Sequence, residues 1–127
     1  MKPYKVFISS VQKEFEQERI ALQQYLQGDA LLSGFFIPYL FETDAAAGAA
    51  PDAVYLDAVA DSDIYIGLLG TEYGYEDADG VSPTEREFDR ASTEGLSRWI
   101  YIMGDNMTKR HNKEKAFINK VRDLLSY

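Results

Sequence analysis

Four short apolar segments alternate with helix-like segments along this chain, and this alternation constrains the fold more than any other feature. The apolar segments are Tyr4–Ser9, Phe35–Phe41, Asp63–Gly70 and Trp99–Met103. Strands that alternate with helices predict a parallel sheet with right-handed crossovers, because each connection is long enough to hold a helix that covers the sheet. The pattern therefore predicts an α/β domain with four parallel strands and helices on both faces.

Two of the apolar segments indicate where their strands lie in the sheet. Pro38 has no amide proton to donate to a ladder, so the second strand is expected at an edge. The third segment, D-I-Y-I-G-L-L-G, lacks clean alternation and is typical of a strand that is covered on both faces. The most economical strand order is 2-1-3-4. The length of 127 residues fits one domain, and because the sequence ends on a helix we expect residues 1–127 to be part of a larger protein.

Turn and capping residues predict the bounds of the helices. Four helices are predicted. The first ends at Gly28 and the second runs from Pro51 to Ala60. The third begins at Ser82 and ends near Gly95, and the fourth covers Lys113–Leu125. The segment A-A-A-G-A-A, before the second helix, is predicted to be a mobile loop. Ser82-Pro83-Thr84-Glu85 combines an N-cap, a proline at the first helical position and an acid at the third, which predicts a capping box. In that motif the Glu85 carboxylate binds the Ser82 amide.

Charge is distributed unevenly along the chain. The net charge is −8, with 18 acids and 6 bases in residues 1–97, and 3 acids and 7 bases in residues 98–127. An acidic body repels phosphate backbones, so nucleic acid is not expected as a partner. The basic segment is interpreted as a solvated helix face, or alternatively as a contact for the acidic body of another copy or for a following domain.

Composition excludes several kinds of site. The absence of cysteine removes disulfides, thiolate metal sites and a cysteine nucleophile, and is consistent with a cytoplasmic protein. His111 is the only histidine, and without a second histidine or any cysteine a structured transition-metal site is not expected. No other cofactor is expected. Neither G-x-G-x-x-G nor a P-loop is present, so a nucleotide would be held without those phosphate cradles. No apolar stretch reaches the ~20 residues that cross a bilayer, so a membrane is not expected as a partner.

The strand order predicts the position of a ligand site. In an open parallel sheet, ligands bind beyond the carboxyl ends of the strands where the chain order reverses, here between strands one and three. The candidate residues at that point are Ser9, Ser10, Gly70, Tyr73, Gly74, Tyr75 and Ser82. Each has a structural alternative, because serines also cap helices, glycines also form turns, and tyrosines also pack at the rim of a loop.

Two glutamates near the start of the third helix receive different interpretations. Glu85 has a sufficient structural role in the capping box. Glu87 lies about 200° further round the helix, by the ~3.6-residue period, and has no capping role. A carboxylate at the mouth of a cleft can stabilise an oxocarbenium-like centre or attack it, as glycosidic cleavage requires. The alternative for Glu87 is a solvated helix acid.

Three blocks of sequence resemble one family. K-V-F-I-S-S at 5–10 is followed by E-R at 18–19, then by S-D-I-Y-I-G-L-L-G-T-E-Y-G at 62–74 and S-P-T-E-R-E-F at 82–88. These blocks resemble an uncharacterised bacterial TIR-like family, whose domains usually stand at the N-terminus of multidomain proteins. The resemblance implies a flavodoxin-like fold, related to TIR domains and nucleoside deoxyribosyltransferases.

The more distant similarity implies roles for particular residues. Thr84, Glu87 and Ala91 resemble the T-x-x-E-x-x-x-A segment in which deoxyribosyltransferases carry their nucleophilic glutamate, so Glu87 is the candidate nucleophile and Thr84 a candidate ligand-binding residue. Asp63 falls where those enzymes often have an aspartate, and it joins the candidate site for that reason.

The leading hypothesis is a signalling or defence-type module that binds an NAD-like nucleotide and cleaves its N-glycosidic bond through Glu87. The acids close to Glu87 in sequence would suit a cationic nicotinamide ring better than a polyphosphate, and the alternative is that most of them belong to a solvated loop. The alternative hypothesis is a non-catalytic domain that associates with its own kind.

Overall fold

The computed structural model describes residues 2–11, 13–39, 51–104 and 107–125, in which strands and helices alternate. In chain order the elements are β1 (Tyr4–Ser10), α1 (Glu16–Gly28), β2 (Phe36–Pro38), α2 (Pro51–Ala60), β3 (Ile64–Leu69), α3 (Pro83–Thr93), β4 (Ser97–Ile102) and α4 (Asn112–Leu125). Short 3-10 turns precede β2 and α4. The predicted mobile loop at 45–50 and the end of the predicted second strand at 40–41 lie outside the described residues.

The four strands form one parallel sheet in the predicted order, β2-β1-β3-β4. Pro38 ends β2 opposite Val6, so the strand that carries the proline lies at the sheet edge, as expected. β3 pairs with strands on both sides and is buried along its whole length. The predicted flavodoxin-like architecture is therefore confirmed, and the order reverses between β1 and β3.

Alternate strand residues face two separate apolar layers, because successive side chains of a strand point to opposite faces. Phe7 and Tyr65 belong to the layer that α2, α3 and α4 cover. Val6 and Ile66 belong to the layer that α1 covers. Helices therefore cover both faces of the sheet. None of the helices in the described ranges is both long and apolar enough to cross a membrane.

Helix α3 positions the candidate nucleophile. Its buried residues Thr84, Glu87, Phe88 and Ala91 recur at the spacing of one helical face. Phe88 is completely buried and packs edge-on against Tyr65, with ring centroids 6.0 Å apart. This contact anchors α3 to the sheet, so Glu87 is held against β1 rather than being a solvated acid.

The predicted capping box of α3 is confirmed in one half and wrong in the other. Ser82 Oγ accepts a hydrogen bond from the Glu85 amide at 3.2 Å. The Ser82 amide donates to the Tyr73 hydroxyl at 3.2 Å, and not to the Glu85 carboxylate. That carboxylate accepts from the Tyr73 hydroxyl and from Lys120 Nζ, each at 2.6 Å. The cation on α4 gives the carboxylate a charge-assisted partner that a neutral backbone amide does not match.

The basic segment is only partly a solvated face. Arg110 is 5% exposed and donates to the carbonyl oxygens of Gly70 at 2.7 Å and Gly104 at 2.6 Å. Lys113 forms an ion pair with Glu76, and Lys120 pairs with both Glu85 and Asp89. Several charges of the basic segment therefore bind other residues of the same chain. These contacts hold α4 and the segment before it against the acidic body.

Candidate active site

A buried carboxylate and a buried hydroxyl meet where β1 ends. Ser9 Oγ donates to Glu87 Oε1 at 2.7 Å, between residues that are 78 positions apart in the chain. Glu87 is 4% exposed and Ser9 is completely buried. Burial of a carboxylate is costly unless hydrogen-bond donors reach it, and the Ser9 hydroxyl supplies one. The hydrogen bond also fixes the direction of the carboxylate.

A cavity of about 150 Å³ lies beside Glu87. Its walls come from α2, from the loop after β3 and from the start of α3. The lining residues are Leu56, Tyr75, Asp77, Val81, Pro83, Arg86 and Glu87. Pockets for drug-sized ligands are usually about 300 Å³ or more, so this cavity is suited to one ring of a larger ligand.

The charged wall of the cavity is predominantly acidic. Arg86 donates from Nε to Asp77 at 2.9 Å and from Nη2 to Asp79 at 3.0 Å. The hydrogen bond from Arg86 lowers the pKa of Asp77, so that carboxyl remains ionised at neutral pH. Asp77 and Asp79 thus bind one guanidinium, and the cavity lining holds the two carboxylates of Asp77 and Glu87 beside it. A cationic ligand group is favoured there over an anionic one.

Carboxylates hold the loop that follows β3. Glu14 accepts from the Thr71 amide at 2.7 Å and from the Glu72 amide at 3.2 Å. Glu114, which is 2% exposed, accepts from the Gly70 amide at 3.1 Å. Burial raises the pKa of Glu114 to about 7, with the Gly70 amide acting in the opposite direction. The backbone behind the cavity is therefore tied to both the β1–α1 loop and α4.

Alanine at Gly70 is expected to destabilise the protein by about 1–3 kcal/mol. A Cβ atom there would lie 2.6 Å from Phe15 Cζ and 2.8 Å from Glu14 Oε2. The matched control is Gly28→Ala, because a Cβ at Gly28 meets nothing within 4 Å. That variant is expected to be neutral or up to about 1 kcal/mol more stable. Urea unfolding of both variants measures the difference, and equal stabilities would contradict the crowding at Gly70.

Two predicted site residues lie away from Glu87. Ser10 points to the opposite face of the sheet from Ser9 and accepts from Arg19 Nη1 at 3.4 Å. Asp63 precedes β3 at the amino end of the sheet, where its carboxylate accepts from the Lys5 amide at 2.8 Å. The switch-point site lies at the carboxyl ends of the strands, so the structure does not bring Asp63 into it.

The two tyrosines of the loop after β3 have different surroundings. Tyr73 is 4% exposed, stacks on His111 with ring centroids 6.1 Å apart, and donates to Glu85. Burial, followed by the hydrogen bond to Glu85, raises the pKa of Tyr73. Tyr75 is 66% exposed and lines the cavity. Of the two rings, only that of Tyr75 lines the cavity.

The remaining predicted residues support the site rather than line the cavity. Gly70 and Gly74 shape the loop: Gly70 is crowded by Phe15, and Gly74 has a φ of 89° that favours glycine. Ser82 and Thr84 are buried at the start of α3.

Sequence reasoning missed part of the cavity wall. Leu56, Val81, Pro83 and Arg86 were not among the candidates, because Leu56 and Val81 resemble ordinary packing residues and Pro83 is explained by its place at the start of a helix. For Arg86 a signal was present, because it lies between the two singled-out glutamates and seven residues after Asp79. Its pairing with Asp77 and Asp79 depends on how the loop returns to α3, which spacing alone does not predict.

The fold and the site define a class, an α/β domain of flavodoxin-like topology with a buried carboxylate at the switch point of its sheet. The chain belongs to the DUF4062 family, a domain of unknown function, whose profile matches residues 5–127. Among solved structures, the Clostridium botulinum CMP N-glycosidase BcmB is similar, with 21% sequence identity and a TM-score of 0.49 over 95% of this chain and 99% of that one. Comparison with curated proteins found no match.

Proposed function

We propose that this domain binds a nucleotide in the cavity beside Glu87 and cleaves its N-glycosidic bond, with the Glu87 carboxylate as the nucleophile. The observation that carries the proposal is the 2.7 Å hydrogen bond that orients this buried carboxylate in the wall of the cavity. The site lies where open parallel sheets bind ligands. The sequence resemblance of Thr84, Glu87 and Ala91 to deoxyribosyltransferases supports the same role for Glu87.

The reaction requires one nucleophile and one water molecule. A Glu87 oxygen attacks C1′ of the ribose, the new C–O bond forms as the C1′–N bond breaks, and the electron pair leaves with the base. The product of this step is an ester between Glu87 and C1′. Water then attacks C1′, which releases the sugar part of the nucleotide and restores the Glu87 carboxylate. One proton of the water passes to solvent. The Ser9 hydroxyl holds the carboxylate in position through both steps.

The charge of the cavity favours a leaving base that is already cationic. Nicotinamide bonded to ribose carries a positive charge, and the electron pair of the broken bond makes it neutral, so it leaves without a proton. Asp77 and Glu87, which line the cavity, provide the negative surroundings for that ring. Tyr75, exposed in the cavity wall, provides an aromatic face for the same ring. NAD⁺ or a closely related nucleotide is therefore the proposed substrate.

Incubation of the folded protein with a panel of substrates tests this function. The panel contains NAD⁺, NADP⁺, NADH, CMP and nucleosides, and chromatography measures the released base. NADH is the matched control for NAD⁺, because its reduced ring is neutral and needs a proton to leave. We expect release from NAD⁺ and none from NADH. Failure of concentrated, folded protein to release base from every member of the panel would overturn the proposed function.

A further inference from the structure

Tyr65 carries a buried hydroxyl that the core does not explain. The residue is completely buried in the middle of β3, and within the described residues its hydroxyl forms no hydrogen bond of normal geometry. An unpaired buried hydroxyl costs free energy, and phenylalanine would fill the same space without that cost. A hydroxyl in this position therefore calls for a polar neighbour within reach, and the Ser9 side chain is that neighbour.

The sheet register places Tyr65 beside Ser9. Phe7 pairs with Tyr65, and Ser9 pairs with Gly67, so all four residues share one face of the sheet. A Cβ atom at Gly67 would lie 3.0 Å from Tyr65 Cε1 and 3.5 Å from the Tyr65 hydroxyl oxygen. The tyrosine ring therefore leans along β3 over Gly67, and its hydroxyl is directed toward the carboxyl end of the sheet where Ser9 lies.

Electrostatics agree with this placement. Burial, followed by the negative charge of Glu87, raises the pKa of Tyr65, while a side-chain hydrogen bond with Ser9 acts in the lowering direction. Asp89 on α3 and Glu114 on α4 add smaller raising contributions. The Tyr65 hydroxyl thus stays protonated and is a donor next to the Ser9–Glu87 pair.

Ser9 has the capacity to accept this donor. The Ser9 hydroxyl donates its single proton to Glu87, so its oxygen can still accept a hydrogen bond from a buried donor. We propose that Tyr65 is a positioning residue for Glu87: its hydroxyl donates to Ser9 Oγ and completes a chain from Tyr65 through Ser9 to Glu87. Each bond in such a chain polarises the next, so the carboxylate is held more firmly as an anion. The catalytic part of this inference depends on the proposed function.

The test compares Tyr65→Phe with Tyr101→Phe, which removes an exposed hydroxyl on β4. Three properties are measured: thermal stability, the kcat and KM of base release, and the titration of the Glu87 carboxyl by ¹³C NMR with and without a nucleotide. Tyr65→Phe is expected to melt at or above the wild-type temperature. Its kcat is expected to fall about 10-fold with KM nearly unchanged, and its Glu87 carboxyl to protonate at higher pH than that of wild type. Tyr101→Phe is expected to match wild type throughout.

The outcomes separate this inference from the proposed function. Wild-type kcat, KM and Glu87 titration in Tyr65→Phe would overturn the positioning role while leaving the nucleophilic role of Glu87 intact. If wild type releases no base, the proposed function fails and the NMR titration alone decides about Tyr65. A drop in melting temperature with no change in that titration would show a purely structural role and would also overturn the inference.

Discussion

Glutamine in place of Glu87 is expected to lower kcat/KM for base release from NAD⁺ by roughly 10³-fold or more, the usual scale for loss of a nucleophile. The amide oxygen still accepts from Ser9, so the orientation of the side chain is preserved. What is lost is the negative charge that attacks C1′. Because a buried charge is removed and its hydrogen bond kept, the melting temperature is expected to equal or exceed that of wild type.

The neighbouring Glu85→Gln is the matched control for this variant. Glu85 lies on the same helix, two residues away, but its carboxylate binds Tyr73 and Lys120 and does not line the cavity. Its replacement is expected to change kcat/KM by no more than a few-fold. Equal losses in the two variants, with both proteins folded by circular dichroism, would contradict the assignment of Glu87 as the nucleophile.

Stability is expected to fall between pH 5 and pH 8 because of Glu114. Burial raises its pKa from 4.5 to about 7 in the folded protein, so in this range the native state holds a proton that the unfolded chain has lost. The stabilising contribution is complete below about pH 4.5 and is lost as the pH rises through about 7. The loss is on the order of 3 kcal/mol. Glu14, Glu85 and Arg110 face this carboxyl and modulate the loss.

Glu114→Gln is expected to remove most of this pH dependence. Glutamine cannot ionise and still offers an oxygen to the Gly70 amide, so the variant should match wild type near pH 5 and exceed its stability near pH 8. The exposed Glu18→Gln is the control and should keep the wild-type slope. Urea unfolding at both pH values measures the effect. Parallel curves for wild type and Glu114→Gln would contradict the assignment.

Much of the fold could be predicted because its determinants are local. Apolar runs, Pro38 and the capping residues at Ser82 predict the elements and the strand order, since hydrophobic periodicity and backbone restriction act over a few residues. The helical phase separated Glu87 from Glu85 for the same reason. The wrong half of the capping box illustrates the limit, because a cation 35 residues away on α4 attracts Glu85 more strongly than the local amide does.

The sequence by itself determined the parallel sheet, its order 2-1-3-4, and Ser9 as a candidate, because each follows from spacing along a strand or a helix. The resemblance to deoxyribosyltransferases added Glu87 as the candidate nucleophile. Only the tertiary structure decided that these two side chains share a hydrogen bond, that Asp63 lies at the far end of the sheet, and that Tyr75 rather than Tyr73 faces the cavity. Those outcomes depend on how α3 and the loop after β3 pack against the sheet. Such packing is set by contacts between residues tens of positions apart, which local patterns do not encode.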